Sequence, residues 1–270
     1  MKRIGLLLIA LALVMVACSD DASTATNDSG STATAGSPST TAPESVTTST
    51  APIATTTTAA ARPACDHTYM PVRAGSKWVF ETGSGELITW EVMSVSPDGT
   101  EAVMAAEIVS GETGEEILPI EVNLTCGSFG MQAPELAFGG LPMGTTVTQV
   151  VEEGVFLPPA DQMVPGATWS SVVNVTAELQ DAPGVTFEIR REAIFTVEGE
   201  EEITTSLGTF TALKVRSDFA MEMDMGGVAF PSAMGVEFLW FVEGIGLVRE
   251  TGENADTTLD NELIEVTIPD

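Results

Sequence analysis

Phe219-Ala220-Met221-Glu222-Met223-Asp224-Met225 sets three thioethers at alternate positions with two carboxylates between them. Alternate residues of an extended chain share a face. Met221, Met223 and Met225 therefore line one side, and Glu222 and Asp224 the other. Methionine adapts to irregular cores. The same row could instead form a pliable wall for an apolar ligand, with Trp90 and Trp240 as further lining. Copper binding by thioethers is a third chemistry, and no histidine or free cysteine nearby supports it. The single histidine, His67, stands beside Asp66. A nucleophilic triad would need a serine on a strained elbow, and Gly127-Ser128-Phe129-Gly130 lacks the G-x-S-x-G form. His67 is expected to be a solvated surface residue. One histidine does not make an ordinary zinc site. Acidic groups at Glu112–Glu116, Glu198–Glu202 and Glu222/Asp224 could hold calcium weakly, but none has calcium-loop spacing. The reading assigns no catalytic residue, metal or cofactor, and the chain is expected not to be an enzyme.

The three cysteines divide by position. Cys18 follows a basic start, Lys2-Arg3, and an apolar and glycine run from Ile4 to Ala17. That run is shorter than the roughly 20 residues a membrane span needs and suits the core of a signal peptide. Met15-Val16-Ala17-Cys18 resembles a bacterial lipoprotein signal, with methionine in place of the usual leucine. The resemblance implies residues 1–17 as signal peptide and Cys18 as the lipidated first residue, which would tie the chain to a membrane outside the cytoplasm. Ordinary secretory cleavage after Ala17 and an uncleaved anchor helix are the alternatives. Cys65 and Cys126 remain, an even pair in an oxidising compartment, and are expected to form a disulfide.

Residues 18–62 are Thr, Ser, Ala and Pro with almost no large apolar side chain. Such a segment buries too little surface to offset backbone entropy and is expected to be a disordered tether. Residues 63–270 form the candidate folded part, read as a single domain. The formal charge is −29, or −31 once Lys2 and Arg3 are removed. That excess excludes nucleic-acid binding through phosphates and disfavours contact with anionic headgroups.

Within 63–270 the apolar period is two. Leu118, Ile120, Val122, Leu124 and Cys126 share a face, as do Ile88, Trp90 and Val92. So do Trp169, Val173, Val175, Ala177 and Leu179. Val236, Phe238, Trp240 and Val242 are read as one inner face, and so are Ile264, Val266 and Ile268. Arg191 interrupts the row Phe187, Ile189, Ala193, Phe195 and Val197, which demands an inward arginine or a bulge. Turn signals punctuate the runs, and only Pro134–Phe138 suggests a short helical turn. Val72–Trp78 and Val164–Trp169 echo each other. They mark either a duplicated β unit or a shared strand-entry turn.

Three phrases, Tyr69–Trp78, Leu207–Val215 and Trp240–Arg249, resemble those of a broad group of uncharacterised bacterial surface lipoproteins. The resemblance implies an all-β, antiparallel, strongly curved sheet or partly open barrel, and no activity. Two functions follow as expectations: a membrane-anchored binding or structural domain, or a carrier of a lipid or other apolar ligand in a half-barrel. A hydrolase is the less supported third.

Overall fold

The computed structural model describes residues 63–110, 116–138, 145–179, 184–230, 232–254 and 258–270. Cys18, the signal, the tether and most of the Glu112–Glu116 group lie outside the described residues. The order is β1 (Asp66–His67), β2 (Met70–Pro71), β3 (Lys77–Thr82), β4 (Leu87–Val95), β5 (Glu101–Val109), β6 (Glu116–Gly127), β7 (Gly130–Gln132), β8 (Thr145–Gly154), β9 (Thr168–Leu179), β10 (Thr186–Thr205), β11 (Gly208–Met225), β12 (Val228–Ala229), β13 (Ala233–Val242), β14 (Gly246–Asn254) and β15 (Thr258–Thr267). Pro134–Phe138 and Ala160–Gln162 are short 3-10 turns.

β1 and β2 form a small ladder of their own. All the other strands belong to one antiparallel sheet ordered β7-β6-β5-β4-β3-β15-β14-β13-β11-β10-β9-β8, with β12 hanging on β11. The last strand thus inserts beside β3 and joins two meanders. The two ends of the path meet. Met131 in β7 bridges Leu157, just past β8. The Gln132 side chain donates to the carbonyl of Gly154 at 2.8 Å. The sheet is therefore nearly closed into a barrel, which removes most of its exposed edges.

The barrel's inner face carries the core. Trp78, Phe80, Val92, Met104, Leu124, Leu213, Val215, Phe241 and Leu263 are buried there. Cys65 and Cys126 form a disulfide with Cα atoms 5.2 Å apart, which ties the first described residues to β6. The two echoing phrases are strand-entry turns. Gly75 and Gly166 have φ of +85° and +84°, left-handed values open to glycine, and each precedes a strand.

The β10–β11 hairpin is longer than the barrel needs. A bulge between Val197 and Gly199 bends it, and its tip leans on the outer face of β15, where the Ser206 N–H donates to Glu262 at 2.7 Å. This explains a departure from the expected pattern in β13. Trp240 pairs with Lys214, and Leu239 with Val215. Leu239 and Phe241 therefore face inward with Glu237, while Val236, Phe238, Trp240 and Val242 face outward. Both faces are buried at that end of β13, so alternation could not say which was which.

Candidate functional site: the polar track on the inner face

Arg191 occupies an inward position in β10 in unbroken register with Val173 and Met221. Of the two readings of that row, the inward arginine holds, and no bulge occurs there. Its guanidinium lies over the Phe219 ring, 4.8 Å from the centroid, and one N–H donates to Glu237 at 2.6 Å. Gly235 makes this arrangement possible. It is the cross-strand partner of Phe219, and a Cβ there would come within 2.7 Å of the ring. The ring lies flat over the glycine and supports the arginine from below.

The track continues across neighbouring strands. Glu250 of β14 pairs in register with Leu239 and Asn261, so it faces inward beside Glu237. Asn261 donates its amide N–H to Glu250 at 3.0 Å. Ser217 of β11 is the register partner of Glu237. Arg191, Glu237, Glu250, Asn261 and Ser217 thus cross five adjacent strands on one face. Protein surrounds the Glu250 carboxyl on all sides, and desolvation, reinforced by the Glu237 charge, pushes its pKa up to about 7. Its side chain is nevertheless only half-buried.

A second polar group lies where the sheet's ends meet. Glu152 of β8 accepts from the Ser171 hydroxyl at 2.8 Å and from the backbone N–H of Ala133 at 3.0 Å. Burial raises its pKa to about 7, and Glu135 adds a small push in the same direction. Nearby, Glu135 accepts from the backbone N–H of Asn123. Two carboxylates therefore satisfy backbone donors that a completed ladder would otherwise hold.

The residues singled out from the sequence are distributed as follows. Met221, Met223 and Met225 share the inner face of β11 and are half-buried. Trp90 is also on the inner face, on β4, and packs against Phe80 at 4.9 Å between centroids. Trp240 is buried on the opposite face, with the Lys214 ammonium 5.4 Å from its ring. The five do not make one wall, because the strand parity of β13 puts Trp240 outside. His67 also departs from expectation. It is buried, with Nε2 2.9 Å from the carbonyl of Pro158 and Nδ1 accepting from the Tyr69 N–H. The ring pins the 155–158 loop to the start of the fold. Among the described residues, no three His, Cys, Asp or Glu side chains gather as metal ligands.

Glu237, Glu250, Asn261 and Glu152 were not singled out from the sequence. The only local signal was Arg191 on an apolar row. A buried arginine requires an acid partner, but sequence spacing does not say which of many acids provides it.

Comparison with known proteins adds the family and the fold. A family profile described as DUF3108-like matches residues 86–260. A candidate lipoprotein from Parabacteroides distasonis superposes with a TM-score of 0.52 at 15% identity, covering 74% of this chain and 99% of that one. A candidate exported protein with a YmcC-like fold from Bacteroides fragilis gives a TM-score of 0.52 at 15% identity, covering 75% and 100%. The comparison with curated proteins finds no match.

Proposed function

Because this chain belongs to the DUF3108-like family, whose matched region spans most of the barrel, we propose that it is an extracytoplasmic lipoprotein, anchored through Cys18, whose barrel acts as a non-enzymatic binding or structural domain. The observation that carries this reading is the inner face. One stretch is sealed by Trp78, Phe80, Phe241 and Leu263, while Met221, Met223, Met225, Glu237 and Glu250 remain partly accessible. A sheet built with one closed and one accessible stretch can receive a ligand without losing its core. The polar groups of that face are committed to one another, Arg191 to Glu237 and Asn261 to Glu250, which suits positioning better than turnover.

The Cys65–Cys126 disulfide fits an oxidising compartment. The two structural relatives, a candidate lipoprotein and a candidate exported protein, agree with that address. Two or three acyl chains on one cysteine would hold the protein stably, since each buried methylene contributes about 0.8 kcal/mol. Replacing Cys18 with Ala tests the anchor. The protein should leave the membrane fraction and lose the acyl mass of its N-terminal peptide. A Cys18→Ala chain that remains membrane-bound through detergent-free washing contradicts the anchor.

A second reading, a carrier of an apolar ligand, is favoured by the methionine row alone. Flexible thioethers on an accessible inner face can repack around ligands of different shape.

A further inference from the structure

We infer that a groove on the outer face of the sheet, crossing β8 to β12 on the side opposite the methionine row, binds a neutral oligosaccharide. The groove encloses about 610 Å³, within the range of about 300–1,000 Å³ of small-ligand sites. Register fixes what lines it. Arg190 pairs with Asn174 on one side and Glu222 on the other, and Glu188 pairs with Thr176 and Asp224. Gln149 joins the second row through Thr176. Two rows of outward side chains therefore meet in one groove. Val175, Ile189 and Met223 line it as well. They alternate with the outward residues, so their side chains turn inward and their main chain makes the floor. Four strand spacings of about 4.8 Å give the groove a length of about 19 Å.

The polar groups facing this space are available. Among the described residues, Gln149, Asn174, Glu188 and Glu222 use their side chains in no hydrogen bond or ion pair within the fold. Arg190 is paired with Glu192, which lies outside the groove. Asp224 accepts from the Gly227 N–H at 2.8 Å. The floor's own N–H and C=O groups belong to the ladder. Recognition therefore falls to side chains.

Their chemistry selects the ligand. Glu188, Glu222 and Asp224 accept, Arg190 donates, and Gln149 and Asn174 do both. Hydroxyl groups answer all three kinds, because each donates and accepts. An anion would face three carboxylates. A simple cation would answer the carboxylates but offer nothing to the guanidinium and the amide N–H groups. An apolar molecule would strip water from every one of them without replacing it. Val151 on β8 and Phe230 just past β12 stand at opposite ends of the groove, each 41% exposed. They give the C–H faces of sugar rings an apolar surface at both ends, which suits a chain of several rings rather than one. This inference does not depend on the lipid anchor or on any ligand of the inner face.

The probes are neutral tetrasaccharides built from glucose, mannose, xylose and N-acetylglucosamine. Each is added to the full chain in a detergent without a sugar headgroup, and binding is read by saturation-transfer NMR and calorimetry. At least one should bind. Glu188→Ala, Asn174→Ala and Phe230→Ala should each weaken that binding about tenfold with the melting temperature little changed. Glu91→Ala, exposed on β4 away from the groove, should leave binding as it is. Failure of all four sugars to bind would overturn the site, as would binding that survives the three groove substitutions. Spermidine is the cationic control, and its binding with no response to any sugar would also overturn the inference. If the half-buried Asn174→Ala does not fold, Glu188→Ala and Phe230→Ala decide.

Discussion

His67 and Arg191 show how much a single side chain's role depends on what closes over it. The histidine stands in an Asp-His-Thr stretch that reads as solvated, yet its ring joins two backbone segments 91 residues apart. Replacing His67 with Ala leaves the Pro158 carbonyl buried without its donor. We expect a loss of about 1–3 kcal/mol in denaturant unfolding. An unchanged midpoint would show that water takes over the contact. Arg191 is legible from sequence as an anomaly, because an arginine in an inward row needs a partner. Its acid, Glu237, is 46 residues away, and only pairing across β11 brings them together.

At the scale of elements, most strands follow from alternation alone. β4, β6, β9 and β10 have the inner faces expected from their apolar rows, and Pro134–Phe138 is the expected short turn. β13 and β15 are the exceptions. In β13 the cause is a neighbour: the bent β10–β11 tip covers its outer face, so both parities are apolar. In β15 a bulge between Leu263 and Glu265 turns Leu263 inward opposite Phe80, so of the expected row Ile264, Val266 and Ile268 only Val266 keeps an inward ladder position, opposite Trp78. The junction of β7 with β8 was not legible at all, because it rests on one isolated backbone bridge, Met131–Leu157, and on side chains rather than on a full ladder.

The Glu152 carboxylate at that junction predicts a pH effect. Its pKa is about 7 in the fold, against 4.5 for the free group. The folded state therefore holds this proton more tightly, so the contribution to stability is full below pH 4.5 and is lost as pH rises through 7. Between pH 5 and 8 this group should account for a fall of about 2–3 kcal/mol. Glu152→Gln should flatten that part of the melting-temperature profile. A parallel profile would remove Glu152 as its source. The disulfide acts between elements too. Mutating both Cys65 and Cys126 to Ser releases the β1–β2 segment from β6, and we expect a loss of about 2–4 kcal/mol. Equal melting with and without reductant would contradict a structural bond.

For the whole molecule, the remaining question is what the accessible inner face holds. Native mass spectrometry of the chain from its own membrane, in mild detergent, should show a recurrent added mass of lipid size under the carrier reading. Met223→Gln would be expected to reduce its occupancy without unfolding the barrel. A bare protein mass under gentle conditions leaves the binding or structural reading and sinks the carrier.

Composition and periodicity by themselves determined the all-β class and the acidity, because these depend on which residues are present and on their spacing along one strand; the expected pairing of Cys65 with Cys126 rested besides on the signal resemblance that sets Cys18 apart. The structure alone decided which strand closes against which, that Trp240 faces away from the methionines, and that Arg191 meets Glu237 and Glu250 meets Asn261 on the inner face. Those facts come from register between strands distant in sequence. A one-residue slip would move every side chain to the other face, and no local pattern in β13 or β14 carries the information that prevents it.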